Sequence, residues 1–348
     1  MKPISTEDLD HVFVKTNELW ATLGGKRIFI TGGSGFVGRW LIETALYAQR
    51  RLNVFLSVDT ITRDPEQFRR NAAHLVGNPA LKIHAGDLEA LGQIEGPYDY
   101  VVHAAADTHV SPERADDILA SSLTGTRAAL DFARRVKATD FLFTSSGAAY
   151  GRQPVDMFGL AEGYQGGPDT TNPSSAYGEG KRLAELMCAS CFAQSGLRTK
   201  IARLFAFIGP HLALDRQYAA GNFIRDALRG ETVRIGGDGT DRRSYLYAAD
   251  MAIWLWTILF QGAPCRLYNV GSGQEISILD LAQAIAKFSG NGNPVSIAQA
   301  SVPGRLPARY IPDIARTQTE LQLQEWVPLT ESIKRTIVWF QDQISSNA

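Results

Sequence analysis

RIFITGGSGFVGRWLIETAL, residues 27–46, reads as three pieces in a row. Arg27 to Thr31 has the apolar pattern of a buried strand, Gly32, Gly35 and Gly38 space a turn that bulky residues would block, and Trp40 onward has the pattern of a helix. Without a Cβ, glycine lets the backbone reverse tightly and lets a phosphate approach the amides at the helix start, among them those of Phe36 and Val37. The dipole of that helix end favours negative charge. The stretch therefore predicts a pyrophosphate cradle between strand and helix.

Beyond residue 46 the chain keeps the same rhythm. A second strand lies in NVFLSVDTIT and leads to RDPEQFRR, where Asp64 caps and Pro65 opens a helix. The cofactor is chosen here. If the strand ends at Asp59, its carboxylate stands where an acid would hold a ribose 2′-hydroxyl, and NAD is favoured; if it runs to Ile61, Arg63 faces a 2′-phosphate, and NADP is favoured. The length of the apolar run and the cap at Asp64 favour NADP, with NAD as the alternative.

LKIHAGDL (81–88), YDYVVHAAA (98–106), a helix around 114–136 and the strand DFLFTSS (140–146) continue the alternation. Strand, helix, strand at this pace predicts an α/β fold with a doubly wound parallel sheet and ligands at the strands' carboxyl ends. Asp87, Leu88 and the small run Ala104, Ala105 and Ala106 fall at such ends, where small side chains let a flat cofactor lie close.

Two further segments carry the chemistry. Ser145-Ser146-Gly147-Ala148-Ala149-Tyr150-Gly151 follows a strand end, and Tyr177-Gly178-Glu179-Gly180-Lys181 opens a helix with Tyr177 and Lys181 one turn apart on one face. A free tyrosine, with a pKa near ~10, is a poor base at neutral pH, and a neighbouring ammonium stabilises its phenolate. A serine hydroxyl then holds the substrate oxygen while tyrosine moves the proton and nicotinamide the hydride.

Composition is that of an ordinary globular protein: 348 residues with a net charge of −1, which gives no basic surplus for nucleic acid. The first residues, MKPISTEDLDHVFVK, lack the apolar core of a secretory signal, and no apolar run approaches the ~18 residues of a membrane span, so no membrane partner and a cytoplasmic location are expected. Residues 1–25 read as a helical extension capped by Ser5 or Thr6 and packed on the sheet edge. Cys188 and Cys191 form a CxxC with no second pair and no nearby histidine; packing is expected there, and His103, His109 and His211 show no metal pattern.

With these motifs in order, the chain resembles the extended short-chain dehydrogenases/reductases, within them the nucleotide-sugar epimerase/dehydratase branch. The resemblance spans about residues 26–340 and rests on GGSGFVG (32–38), GDL (86–88), VVHAAA (101–106), GT (125–126), TSSGAAYG (144–151), YGEGK (177–181), RLFAFIGP (203–210), the run 222–252 and YNVGSG (268–273). It implies a Rossmann-type domain over 26–205 and a smaller substrate domain over 206–348, with segments near 240–270 returning to the first. It implies Ser146, rather than Ser145, as the catalytic serine beside Tyr177 and Lys181. It also implies a nucleotide-sugar substrate and a homodimer built on helices matching 114–136 and 176–195.

A diphosphate needs cationic donors, and Arg242-Arg243 with Asn222, Arg305 and Arg309 would supply them; Arg243 matches the family's phosphate-contacting arginine. Departures from the family pattern matter equally. Dehydratases usually carry an acidic pair after the catalytic serine or threonine, and Gly147 and Ala148 stand there instead. Hydride chemistry at hexose C4, as an epimerase or a 4-keto-hexose reductase, therefore ranks above 4,6-dehydration. Alternatives are a reductase of a non-nucleotide small molecule and a non-catalytic dinucleotide-binding protein. Ala206 and Ser122 also replace the family's usual asparagines.

Overall fold

The computed structural model describes residues 1–107, 111–216 and 218–347, so His109 lies outside the described residues. The chain forms two compact units, one of Met1–Gly151, Gly166–Leu204 and Ala252–Tyr268, the other of Arg152–Gln165, Phe205–Met251 and Asn269–Ala348.

The first unit is built on a seven-stranded sheet. Its strands are β1 (Lys26–Thr31), β2 (Leu56–Thr62), β3 (Leu81–Ala85), β4 (Tyr100–His103), β5 (Asp140–Ser146), β6 (Arg198–Leu204) and β7 (Arg266–Val270). They lie in the order β7-β6-β5-β4-β1-β2-β3. The pairings from β3 through β1 to β6 are parallel, which gives the expected doubly wound, Rossmann-type arrangement. Strands buried on both faces explain the near-continuous apolar runs; all seven residues of β5 are buried.

Helices α1 (Thr6–Ala21), α2 (Phe36–Leu52), α3 (Pro65–Asn71), α4 (Ala115–Arg135) and α5 (Ala176–Ser195) surround this sheet. Ser5 caps α1, accepting from the amide of Asp8 at 3.1 Å. Helix α1 does not lie on the sheet edge as expected. It packs on helices: Tyr47 of α2 donates to Asp10 at 2.6 Å, and the Trp20 ring meets Trp256 at 4.9 Å and Phe260 at 5.7 Å. The aromatic rings, which bury large apolar areas and prefer edge-to-face contact, set this docking.

In the second unit, helices α6 (Ala219–Leu228), α8 (Ile278–Phe288) and α10 (Leu329–Asn347) pack together, and a three-stranded sheet joins 242–243, 276–277 and 309–310. Helix α7 (Ala248–Gln261) begins here and continues into the first unit, and the short α9 (Ala315–Leu321) follows 309–310. The expected division kept 26–205 in one domain, whereas 152–165 belongs to this second unit. The reason is a set of buried bonds: Ile311 N donates to Gln153 Oε1, Asn269 N to Glu162 Oε1, and Asn269 Nδ2 to the carbonyl of Leu160, at 2.7–2.9 Å.

Candidate active site

Strands β1 and β4 are neighbours from which the chain winds in opposite directions, so a crevice opens beyond their carboxyl ends. Thr31 pairs with His103 at the end of both strands, and the Thr31 hydroxyl meets His103 Nδ1 at 2.8 Å. Burial, then the nearby Lys181 charge, pushes the His103 pKa down to about 3, so its ring stays neutral. Gly32 follows with φ +74, and a Cβ there would stand 2.6 Å from the amide nitrogen of Ala105. At Gly38 a Cβ would stand 2.3 Å from the carbonyl oxygen of Gly32. The turn closes only with glycine at both places. No side chain caps α2 at Gly35 and no acid occupies its first turn, which leaves that helix start to an anion. These features fit a dinucleotide, whose pyrophosphate needs this bare approach.

Asp59 is enclosed by the core. It sits mid-strand opposite Phe29, is 2% exposed, and takes Tyr98 OH at 2.6 Å and His84 Nε2 at 2.8 Å on one carboxylate oxygen. This carboxylate makes its bonds within the core. Strand β2 runs on to Thr62, and Arg63, just beyond its end, is exposed and meets no carboxylate among the described residues. Asp87 is exposed, with one carboxylate oxygen accepting the amides of Glu89 and Ala90 at 3.0 and 3.3 Å. Leu88 presses on Gly125, where a Cβ would come within 2.7 Å of it. Ala104 and Ala105 are half-buried and Ala106 is exposed.

The serine, tyrosine and lysine come from β5 and α5. Ser146 ends β5, is 8% exposed, and accepts the amide of Ala148 at 3.1 Å. Its neighbour Ser145 points elsewhere, donating to the buried Glu185 carboxylate. Lys181 is buried, donates to the Thr144 carbonyl at 2.8 Å, and lies 5.8 Å from the centre of the Tyr177 ring. Burial pulls its pKa down to about 8, with Glu185 acting in the opposite sense. Tyr177 is half-buried in the first turn of α5. Gly178 explains how that turn reaches the serine loop: a Cβ there would stand 2.6 Å from Ala148 O. A glycine in the first turn of a helix was the sequence signal for this close approach. Glu185, Arg203 and the Thr144 carbonyl carry no motif of their own; the signal for Glu185 is its place four residues after Lys181.

In the second unit the arginine cluster is mostly paired. Arg305 bridges Asp238 at 3.3 Å and Asp241 at 3.2 Å, and Arg309 meets Glu275 at 3.3 Å and the Val155 carbonyl at 3.1 Å. Asn222 accepts from Arg225 at 3.0 Å. Arg243 meets only carbonyls, of Arg242 at 2.8 Å and Ala308 at 3.3 Å, and faces no carboxylate among the described residues. Cys188 is buried, and burial raises its thiol pKa well above the ordinary range. No described helix is long and apolar enough to cross a membrane. An open groove lined by Arg134, Lys137 and Arg198 lies at the amino ends of β5 and β6, away from this chemistry.

The glycine cradle, the strand-end serine and the Tyr177–Lys181 face all belong to the seven-stranded unit and fit an enzyme that binds a nicotinamide dinucleotide. The chain belongs to the NAD dependent epimerase/dehydratase family, whose model matches residues 28–271. It is similar to UDP-glucuronic acid decarboxylase 1 of Xenopus tropicalis, 30% identical over 325 residues, which cover 93% of this chain and 74% of that one. Among solved structures it is similar in fold to an epimerase of Methanothermobacter thermautotrophicus, with TM-score 0.80 and 22% identity over 96% of this chain and 97% of the other. A UDP-glucuronic acid 4-epimerase of Bacillus cereus, solved with NAD, gives TM-score 0.78 and 22% identity over 92% and 98%.

Proposed function

We propose that this protein carries out oxidation and reduction at C4 of a nucleotide-activated hexose, as an epimerase or a 4-keto-hexose reductase. The observation that carries the reading is the joint geometry of Ser146, Tyr177 and Lys181 at the carboxyl end of β5. A bound nicotinamide supplies the hydride acceptor and donor. Ser146, its oxygen already accepting the Ala148 amide, turns its own hydrogen toward the C4 oxygen. Tyr177 takes the hydroxyl proton on oxidation and returns it on reduction, and the Lys181 ammonium steadies the phenolate. Gly147 and Ala148 have no acid or base to transfer a proton, which speaks against elimination of water across C5 and C6. In the second unit, Arg243 is the proposed diphosphate contact, with Asn222 and Arg309 beside the sugar nucleotide.

A second reading is favoured by the likeness to UDP-glucuronic acid decarboxylase 1. Oxidation at C4 of a hexuronate places the C5 carboxylate β to a ketone, so carbon dioxide leaves, a proton replaces it at C5, and the hydride returns to C4. The cofactor inferred is NADP, supported by the reach of β2 to Thr62 and by the exposed Arg63. Two chains are inferred to pair through α4 and α5, supported by the exposed Leu183 and Leu186 on α5.

Incubation with UDP-glucose, UDP-glucuronate and a nucleotide-4-ketohexose, with and without NADPH, separates these readings by product mass and released carbon dioxide. Turnover should fall by at least about 1,000-fold in Tyr177→Phe while cofactor affinity stays within about threefold, since one group moves the proton in every version. An active Phe variant, or no turnover of any nucleotide sugar, overturns the reading.

A further inference from the structure

Beneath the proposed catalytic face lies a charged cluster that the reaction itself does not use. Glu185 follows Lys181 by one helical turn on α5. Its carboxylate is held by both prongs of Arg203 of β6, Nε to Oε1 at 2.8 Å and NH2 to Oε2 at 2.5 Å, with both side chains about nine-tenths buried. The same Oε1 accepts the hydroxyl of Ser145, the residue before Ser146. Arg203 in turn stacks on the Tyr150 ring at 4.1 Å, and Tyr150 closes the turn that Ser146 caps. Helix α5 is thus fastened to the end of β5 twice, by Lys181 on the Thr144 carbonyl and by Glu185 on Ser145.

We infer that the Glu185–Arg203 pair is a positioning device that sets the charge state of Lys181 and the place of Ser146; the catalytic meaning of this rests on the function proposed above. A buried ammonium with a carbonyl acceptor is costly to keep charged, and the carboxylate that favours its charge is Glu185, one turn along the same helix. The other groups facing Lys181 are Tyr177 and Cys188 on α5, His103 on β4 and the Phe143 ring of β5, at 4.8 Å. His103 is neutral and Cys188 remains a thiol, so neither supplies a fixed charge. Arg203 balances Glu185 and so keeps the carboxylate from over-stabilising the ammonium. A structural tether alone would not care about the sign of either charge.

The test uses that sign. Protein labelled with 15N-lysine is titrated by NMR, the Lys181 signal being assigned by its loss in Lys181→Met; this needs no substrate. Glu185→Gln should move the Lys181 midpoint down by about one pH unit, because it removes the carboxylate and strands the arginine, and Arg203→Met should move it up by a similar amount. The alkaline limb of kcat should follow in the same directions. Ser145→Ala, which changes no charge, should lower kcat about tenfold with KM and the limb unmoved. Shifts of the same sign in both charge variants, or none, overturn the inference, as does a Ser145→Ala enzyme with unaltered kcat. Where both charge variants fail to fold, Glu185→Asp decides: it keeps the charge but withdraws it by one methylene, so it should displace the Lys181 midpoint and lower kcat, and an unmoved midpoint refutes the charge role. Opposite NMR shifts without turnover of any nucleotide sugar would leave the pair's control of Lys181 standing and sink the reaction alone.

Discussion

Asp59 in the middle of β2 and Arg63 just past its end differ above all in burial. Asp59 is closed inside by His84, Tyr98 and, at 3.8 Å, Arg27, while Arg63 lies open beyond Thr62. The expected outcomes therefore separate. Asp59→Ala should lower the unfolding free energy in urea by about 3 kcal/mol, since buried donors lose their acceptor, and leave the ratio of NADP to NAD affinity unchanged. Arg63→Ala should leave stability within about 0.5 kcal/mol and cut NADP affinity about tenfold or more, with NAD barely affected. Fluorescence titration with both dinucleotides checks the pair; a preference that moves with Asp59 would reverse their roles. In the sequence the two residues look equally available. Those that bury Asp59 lie 25 and 39 positions downstream, and such contacts leave no local trace.

At the level of elements, what was legible was what is written locally. The glycine spacing at 32–38, the cap at Asp64, which accepts Gln67 N at 2.8 Å, and the Tyr177–Lys181 spacing all depend on neighbours within a turn or two. The docking of α1 and the excursion 152–165 depend on partners far along the chain, and neither is written locally. Helix α5 shows both kinds of determinant. Its spacing was readable, but its placement rests on Gly178 against Ala148 and on Gly180, where a Cβ would come within 2.9 Å of Ser122 Oγ. Ser122, which stands where the family usually has asparagine, is thus part of the α4–α5 contact. Gly178→Ala should push the first turn of α5 off the serine loop and reduce kcat about 100-fold with the dinucleotide Kd nearly unchanged. Stopped-flow turnover and cofactor titration on the same preparation measure this, and an unimpaired kcat would show the close approach to be dispensable.

For the whole molecule, the doubly wound parallel sheet followed from alternation along the chain, but the number of crossings between units did not. An interface between chains is the one feature at this scale that the proposal adds. With Leu183 and Leu186 exposed at 41% and 63%, α5 carries large apolar side chains on its outer surface. Light scattering should give twice the chain mass of 38.0 kDa, and Leu186→Glu with Leu183→Glu should return it to one. A monomeric wild type would remove the dimer from the picture.

The passage of the chain between the units has a consequence for its synthesis. Trp256 and the Leu259 carbonyl, both on α7, are the partners of Trp20 and of the buried Lys200 ammonium, yet 47 residues of the second unit, Phe205–Met251, are made before the chain returns. The dinucleotide-binding unit therefore cannot finish folding as it emerges from the ribosome; it waits with an uncovered indole and with the Lys200 ammonium held by Asp140 but lacking its second acceptor until α7 and β7 are made. During that interval the nascent chain is open to aggregation and to chaperones, so an early stop after residue 205 would yield a sticky fragment in place of a small working domain.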